Sequence, residues 1–234
     1  MEIALTSSAS TSRLRNVFDS VSRFTILGRG PSAMDERARS LSQKFVLITG
    51  PTYATRDVFS GEPCGVLVST PPTCVAEIAA RYYALPESAR PVLMYTYLPC
   101  VAPINFSEFG IDPIPIGPLL QEAGLGSFDH EPYPTSGVFL MLLAAALKKG
   151  ADVAGIDLYR HASGRTYVTD VTSGQFLWPA HHRLECDLAC IRETIHKNPS
   201  GFDLSPELLQ AINESEGSSF PKEHPAPAKS PKRL

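Results

Sequence analysis

The fold that we predict follows from the stretch TSGVFLMLLAAALKKGADVAGIDLY, which covers residues 135–159. Thr135 or Ser136 can accept a hydrogen bond from the free N–H groups that open a helix. Residues 138–147 are apolar on every side, so this helix should be buried. Residues 151–156 then have the composition of a strand that is buried on both faces, as in a parallel sheet. Helix, short turn and strand together predict half of an α/β unit.

Polar and glycine positions mark the ends of these two elements. Lys148 and Lys149 would interact favourably with the negative end of the helix dipole, and Gly150 suits the left-handed position after a helix. Asp157 and Tyr159 follow the predicted strand. Ligands of open α/β sheets bind beyond the carboxyl ends of the strands, so we expect these two side chains near a ligand.

Strand and helix patterns alternate along the rest of the chain. The predicted strands cover residues 23–27, 44–49, 65–69 and 92–97. The predicted helices cover residues 33–43, 73–83, 118–123, 184–196 and 205–213. Such alternation is typical of α/β proteins with a parallel sheet. We therefore predict one α/β domain over residues 21–198, built on a Rossmann-like, doubly wound and mainly parallel sheet.

A glycine-rich turn follows the first predicted strand directly. Its sequence is Gly28-Arg29-Gly30-Pro31-Ser32, and the next residues are helical in composition. A strand, a glycine turn and a helix start form a place for an anion, because backbone N–H groups and the helix dipole both favour negative charge. Many such turns use glycine only to turn the chain, so this motif alone does not identify a ligand.

The two ends of the chain are weakly patterned. Residues 1–20 are rich in serine and threonine, and we interpret them as a loose leader with at most a short helix near residues 13–21. Residues 199–234 predict a short helix and then a disordered tail, because the proline- and lysine-rich segment cannot bury enough apolar surface to order itself. Basic residues near anionic lipid contribute roughly 1 kcal/mol each, so a weak peripheral membrane contact through the tail remains open.

Composition excludes several classes of protein. A net charge of −3 gives no general attraction to nucleic acid. No run of 18 apolar residues occurs, so no spanning helix is expected. The five cysteines form no tight framework, which suits a reducing compartment better than a disulfide scaffold. We therefore predict a cytoplasmic protein, peripheral at the inner membrane where its tail makes contact. A homo-oligomer is compatible with this sequence, and a nucleic-acid partner is not expected.

An irregular segment separates the last predicted strand from the next helix. Residues 160–180 are polar and include the only tryptophan, Trp178. Irregular stretches of about twenty residues inside a domain usually have a function, often as a lid over a site. We therefore predict a lid over about residues 159–182, which ends at His181 and His182.

The helix after this lid offers a second kind of site. Extending it back by one turn places His182, Cys186 and Cys190 on one face. Three ligands on one helix without a distant fourth make a poor structural zinc site. Cysteines that pack as small apolar residues explain the pattern better, so we predict no metal.

Four short blocks, in this order, resemble the bacterial sialyltransferases of glycosyltransferase family 42. They are the glycine turn at residues 28–32, the Thr-Ser-Gly-Val at 135–138 and the Gly-Ile-Asp-Leu-Tyr at 155–159. The fourth is His182, followed five residues later by Asp187. The blocks are short, but together they span most of residues 23–195, and their order and spacing are more specific than any one of them.

The resemblance implies a metal-independent, inverting transferase that needs no cofactor. Its donor would be a CMP-activated nonulosonic acid, typically CMP-sialic acid, and its acceptor a glycan hydroxyl in lipopolysaccharide or capsule biosynthesis. Tyr159 and Tyr167 would hydrogen-bond the departing phosphate, and His182 would act as base on the acceptor hydroxyl. Contacts to the donor and its nucleotide would fall on Gly28, Arg29, Gly30, Pro31, Ser32, Thr70, Thr135, Ser136, Gly137 and Asp157.

The chain also departs from the family pattern, which leaves alternatives open. Arg29 stands where the family usually has asparagine, and Tyr133 where an arginine is common. A related nonulosonate or Kdo therefore remains open as the donor sugar, and His181 as the base. The Gly-x-Gly-Pro-Ser opening also occurs in pterin pyrophosphokinase-like proteins. A phosphate enzyme of that kind, or a nucleotide-binding module without activity, is the alternative function.

Overall fold

A single parallel sheet organises the molecule. The structure is a computed structural model that describes residues 2–28, 30, 45–50, 64–68, 72–96, 104–126, 128, 131–156, 158, 165–167, 170–172, 183–198 and 201–217. Its strands, in chain order, are β1 (Arg23–Leu27), β2 (Phe45–Thr49), β3 (Cys64–Val68), β4 (Val92–Tyr95), β5 (Ile114–Pro115), β6 (Gly150–Ala154), β7 (Arg165–Tyr167), β8 (Asp170–Thr172) and β9 (Phe202–Asp203). Seven of them form the sheet, and β7 and β8 form a separate antiparallel pair.

The strand order across the sheet is β5-β4-β3-β2-β1-β6-β9, and every pairing within it is parallel. The chain therefore builds outward from β1 to β5 and then returns to the other side of β1. This reversal is the topological switch point of a doubly wound sheet. The predicted α/β, Rossmann-like fold class is confirmed.

Six helices are described around this sheet. They are α1 (Glu2–Phe18), α2 (Pro72–Ala84), α3 (Gly117–Glu122), α4 (Ser136–Ala146), α5 (Leu184–Lys197) and α6 (Pro206–Gly217). Alternate strand residues face opposite sides, so each face carries its own core. Phe24 and Ile26 pack with α1 and α4 on one face, whereas Val46 and Ile48 pack with α2 on the other. The predicted helix at residues 33–43 and the tail from residue 218 lie outside the described residues.

Helix α4 is buried as predicted, but its two ends differ from the prediction. The helix begins at Ser136, and the side chain of the N-cap residue Thr135 makes no capping hydrogen bond. The left-handed residue after the helix is Lys148, at φ 56°, rather than Gly150. The Lys148 and Lys149 N–H groups, each 2.9 Å from its acceptor, bond the carbonyls of Ala145 and Ala144 and so close the helix early.

The N-terminal segment is not the loose leader that we predicted. Its helix spans Glu2–Phe18, and both Leu14 and Phe18 are fully buried. These residues are four apart and therefore share one face of the helix. The Phe18 ring meets the edges or faces of Phe24 and Phe45 at centroid distances of 5.4 Å. Leu14 and Phe18 therefore hold this helix against the core, although its earlier residues gave little sign of a helix in the sequence.

The short strands were missed by the sequence interpretation. Strands β5 and β9 contain only two residues each, too few to show a periodicity. Part of the segment predicted to be irregular forms the antiparallel pair of β7 and β8, in which Arg165 lies opposite Thr172. Within the described part of the chain, no helix is both long and apolar enough to cross a membrane.

An ion pair closes the amino edge of the sheet, opposite the edge where ligands are expected. Two guanidinium nitrogens of Arg23 donate to one carboxylate oxygen of Asp152, at 2.6 and 2.8 Å. A third donates to the carbonyl of Gly201 at 3.1 Å. One side chain thus links β1 to β6 and to the residue that precedes β9. Asp152, which we had read as part of an apolar strand, is buried in this pair.

Candidate functional site

The candidate site lies at the switch point, beyond the carboxyl ends of β1 and β6. These strands are neighbours, with Leu27 opposite Ala154 in the final pair of their register. The chain leaves β1 toward one side of the sheet and later occupies the other side through β6. Loops at such a point diverge, which leaves the crevice where α/β proteins bind ligands.

The glycine turn is joined to the end of β6 through its backbone. The Gly28 N–H donates to the carbonyl of Ala154 at 2.9 Å, and the Gly30 N–H donates to that of Gly155 at 2.8 Å. A Cβ atom on Gly28 would overlap the carbonyl oxygen of Gly155. Gly155 itself has φ 73°, in the left-handed region that favours glycine. Glycine is therefore required here for close approach of two backbones.

The start of α4 reaches the same place through Ile156. A Cβ atom on Gly137 would lie 2.9 Å from Cγ1 of Ile156, and one on Gly28 would lie 3.2 Å from that atom. Ile156 is 5% exposed and so fills the space between the two glycines. The positive end of the α4 dipole therefore lies beside the glycine turn, in the arrangement that favours an anion.

Asp187, in the first turns of α5, ties that helix to the start of α4. The Thr135 N–H donates to Oδ1 of Asp187 and the Thr135 hydroxyl donates to Oδ2, both at 2.8 Å. Asp187 is fully buried. The Thr135 hydroxyl thus donates to a carboxylate instead of accepting from its own helix, which corrects the predicted cap. Ser136, the other predicted cap, is the first residue of the helix itself.

Burial dominates the electrostatics of this contact. It raises the pKa of Asp187 to about 7, although both hydrogen bonds from Thr135 act in the opposite direction. The carboxyl group therefore changes its charge near neutral pH. Its ionised form lies at the positive end of α4, where a negative charge is favoured.

The two described cysteines of α5 lie next to this carboxylate. The Cys186 thiol lies 3.3 Å from the carbonyl oxygen of Pro132, to which it donates. A hydrogen bond from Cys190 lowers the pKa of Cys186, and the same bond raises the pKa of Cys190. Among the described residues, no group of three or more His, Cys, Asp or Glu side chains is arranged to hold a metal ion. His182 lies outside them.

The structure brings together five of the predicted site residues. These are Gly28, Gly30, Thr135, Ser136 and Gly137. Tyr167 is the last residue of β7, and only its backbone is described. The remaining predicted residues lie outside the described part of the chain; they are Arg29, Pro31, Ser32, Thr70, Asp157, Tyr159 and His182.

Two residues of the site have contacts that sequence reasoning missed. Ile156 was interpreted only as the end of a strand. Asp187 was noted only because it follows His182 by five residues. A signal for Asp187 was present, because Leu184, Leu188 and Ile191 form the apolar stripe of the helix and residue 187 falls on it. A carboxylate on a buried stripe requires a hydrogen-bond donor.

The carboxyl edge of the switch point thus unites a glycine turn, the start of α4 and the first turns of α5. These elements present backbone N–H groups and a helix dipole, which suit a phosphate ligand. None of the protein-family models searched matches the chain, and no curated protein matches it.

Proposed function

We propose that the protein is an inverting, metal-independent glycosyltransferase that moves a nonulosonic acid from its CMP-sugar to a glycan hydroxyl. The observation that carries this proposal is the meeting of three sequence blocks around Ile156, at the switch point. Gly28 and Gly137 are more than a hundred residues apart in the chain, yet both contact this side chain. These are three of the four blocks that carry the resemblance to glycosyltransferase family 42.

The described geometry suits the phosphate of a CMP-sugar. Gly28 and Gly137 have no side chain, which lets the glycine turn and the start of α4 pack closely against Gly155 and Ile156 at the switch point. The first turn of α4 supplies N–H groups that have no acceptor within their own helix. Such donors are fixed before the reaction and stabilise the charge that develops on a leaving phosphate. In this proposal Arg29 pairs with the phosphate, in place of the asparagine usual in the family.

The chemical step needs a base and further donors, which the proposal assigns to His182, Tyr159 and Tyr167. A neutral imidazole near its normal pKa can remove the proton of an acceptor hydroxyl, which is worth roughly 10²–10⁴-fold. Phenol hydroxyls suit the leaving phosphate because it needs donors. The assignment of His182 is supported by its place five residues before Asp187 in the sequence. Asp187 lies on α5 and accepts hydrogen bonds from Thr135, the residue that precedes α4.

The donor class also suggests where the protein works. CMP-sugars are small, charged cytoplasmic substrates in this proposal, and the acceptor is a surface glycan under construction at the inner membrane. The basic tail, residues 221–234, would hold the protein near that membrane by electrostatic attraction.

The proposal is tested by turnover of CMP-sialic acid and CMP-Kdo with a glycan acceptor. The wild-type chain is expected to release CMP from one of them and to bind CMP. His182→Ala is expected to lower transfer by roughly 10²–10⁴-fold while CMP affinity stays nearly unchanged. His181→Ala is the matched control and should retain transfer. If only His181→Ala lost transfer, His181 and not His182 would be assigned as the base.

Two glycine variants test the location of the site. Gly28→Ala should abolish CMP binding, because the new Cβ overlaps the Gly155 carbonyl and displaces the turn. Gly117→Ala is the control, since a Cβ there meets no atom within 4 Å. A wild-type chain that neither binds CMP nor releases it from either donor contradicts the proposal. Stabilisation by ATP with Mg²⁺ instead of CMP would favour a pterin pyrophosphokinase-like enzyme.

A further inference from the structure

We infer that Cys186 and Cys190 form a two-thiol site that binds a trivalent arsenical, through one arsenic atom bonded to both sulfurs. The inference does not depend on the proposed function, which assigns no role to either thiol. It concerns a binding site on helix α5 for a small ligand with a strong preference for sulfur.

The two cysteines lie one helical turn apart on α5. They are four residues apart in the sequence, and side chains at this spacing share one face of a helix, with about 5–6 Å between their Cβ atoms. Both thiols are free and half-buried, so a small reagent can reach them. Cys64, the other free cysteine among the described residues, is buried. The pair on α5 is therefore the place where one ligand can meet two thiols.

The two thiols are also held toward one another. The Cys186 thiol lies 3.3 Å from the carbonyl oxygen of Pro132, to which it donates. The Cys190 thiol donates to the sulfur of Cys186, and this bond lowers the pKa of Cys186. Cys186 lies in the first turn of α5, where the positive end of the helix dipole also favours a thiolate. The pair thus offers one reactive sulfur with a second sulfur beside it.

The spacing suits a bridging atom better than a direct bond between the sulfurs. A disulfide needs Cβ atoms roughly 3.5–4.5 Å apart, so its formation would distort the first turns of α5. One arsenic atom between the two sulfurs lengthens the link and spans the wider separation. An arsenical can therefore bind to the pair while the helix stays intact.

The number of available ligands favours arsenic over zinc. A structural zinc ion takes four protein ligands. Within the part of the chain that the structure describes, no group of three or more His, Cys, Asp or Glu side chains is arranged to hold a metal ion. Asp187, the residue after Cys186, uses both carboxylate oxygens to accept from Thr135. A trivalent arsenical that already carries one organic group needs only two sulfurs from the protein.

Binding is a condensation in which no atom changes its oxidation state. Phenylarsine oxide in water is hydrated, so that its arsenic carries two hydroxyl groups. Each thiol loses its proton and forms a bond from sulfur to arsenic, while one bond from arsenic to oxygen breaks. The two protons leave with the two hydroxyl groups as two water molecules, and arsenic stays trivalent.

The test uses intact-mass spectrometry of the full chain in a Cys74→Ser/Cys100→Ser background, which leaves Cys64, Cys186 and Cys190 as its cysteines. One equivalent of phenylarsine oxide is added, followed by an excess of the monothiol 2-mercaptoethanol. The background chain should keep one phenylarsenic group, because both bonds join it to the same molecule. Cys186→Ser and Cys190→Ser should each weaken its retention roughly 10²–10⁴-fold.

A pair of thiols at another spacing is the matched control. Cys190→Ser/Glu193→Cys keeps two thiols on α5 but places them seven residues apart, which is about 10.5 Å along the helix axis. Glu193 is exposed, so the helix should tolerate the change. One arsenic atom cannot bridge this distance, and the folded control should release the arsenical to the monothiol.

Two further measurements use the background chain without any change in α5. Trypsin cleavage after Arg183 and Arg192 releases residues 184–192, which contain both thiols of the pair and no other cysteine. This peptide should carry the arsenic. The thermal unfolding midpoint should rise with the arsenical, because a ligand that binds the folded helix preferentially stabilises it.

Four results would overturn the inference. They are arsenic on a different peptide, a lower unfolding midpoint, equal retention in a serine variant, and retention in the folded seven-residue control. If the variants do not fold, the peptide map and the unfolding midpoint of the background chain decide. The proposed function is tested separately, by CMP binding and turnover of the unmodified chain.

Discussion

Asp187 is the most deeply buried carboxyl group in the described part of the chain, so its burial conflicts with its charge. A buried carboxyl group is unfavourable when ionised, and two hydrogen bonds from Thr135 offset only part of this cost. A protein that needed stability alone would do better with an uncharged side chain at this position. The carboxyl group instead joins α5 to the residue that precedes α4, through the two hydrogen bonds from Thr135.

The stability of the protein should therefore depend on pH through Asp187. Its pKa is about 7 in the folded state against 3.8 for the unperturbed group, so the folded state holds its proton more tightly. Relative to Asp187→Asn, the wild type should lose stability as pH rises from about 4 to about 7, and no further above that. The shift of about three pKa units corresponds to ~4 kcal/mol.

Urea denaturation of both proteins at pH 4.5, 6 and 8 measures this difference. At pH 4.5 the free energy of unfolding of the wild type should equal or exceed that of Asp187→Asn. At pH 8 it should be lower than that of Asp187→Asn. Parallel curves for the two proteins would show that Asp187 does not titrate as its burial implies.

Sequence reasoning located the glycines of the site but not the reasons for them. Gly28 and Gly137 stood out in short motifs, and the structure brings both to Ile156. The need for glycine there comes from a backbone and a side chain distant in sequence. The bond between Asp187 and Thr135 spans 52 residues and was equally hidden. Contacts of this kind leave no periodic pattern in the chain.

At the scale of elements, α1 shows how little sequence can define a helix. Most of its residues are small or polar, and we had expected at most a short helix near its end. Leu14 and Phe18, four residues apart, anchor it on the sheet. Tertiary packing therefore outweighs the weak local propensity of the serine- and threonine-rich part.

Removing that anchor should destabilise the whole domain. Phe18→Ala deletes a fully buried ring that packs on Phe24 and Phe45, which should cost ~3–5 kcal/mol. Val17→Ala is the matched control, since Val17 is 37% exposed and its truncation should cost less than about 1 kcal/mol. Urea unfolding followed by circular dichroism measures both. Similar costs for the two variants would mean that α1 does not pack as described.

Long elements could be predicted, and their ends could not. The strands at residues 23–27 and 92–95 and the helices α2 and α5 lie within a few residues of their predicted bounds. Helix α4 ends early because Lys148 adopts the left-handed conformation, which costs an L-residue roughly 1–2 kcal/mol. Gly150 looked like the better stop, but it opens β6, where Arg23 and the Gly201 carbonyl leave no room for a Cβ atom.

At the scale of the whole molecule, the sheet could be predicted as parallel and doubly wound. Its strand order could not, because the strands carry similar apolar runs and nothing in them specifies a neighbour. The place of β6 beside β1 is what creates the switch point. The predicted base and Tyr159 lie outside the described residues, and only the backbone of Tyr167 is described, so their roles stay predictions.

A ligand at the switch point should protect one edge of the sheet and leave the other unchanged. CMP should slow amide exchange in peptides that cover residues 136–138, 155–156 and the glycine turn. Peptides around Arg23 and Gly201, at the amino edge, should exchange as before. GTP and uridine monophosphate serve as control ligands. Protection at the amino edge, or protection by every nucleotide alike, would contradict a specific site at the switch point.

Ile156 touches both glycines, so its volume sets how far apart the turn and the helix start can be. A side chain that need not contact the ligand thus sets the width of the opening between the glycine turn and the start of α4. Loss of a single methyl group there would let the opening narrow or widen while both glycine motifs stayed intact. Relatives of this chain could therefore differ in the size of the ligand that they admit because of a substitution at this residue. A comparison of the glycine motifs alone would not detect such a substitution.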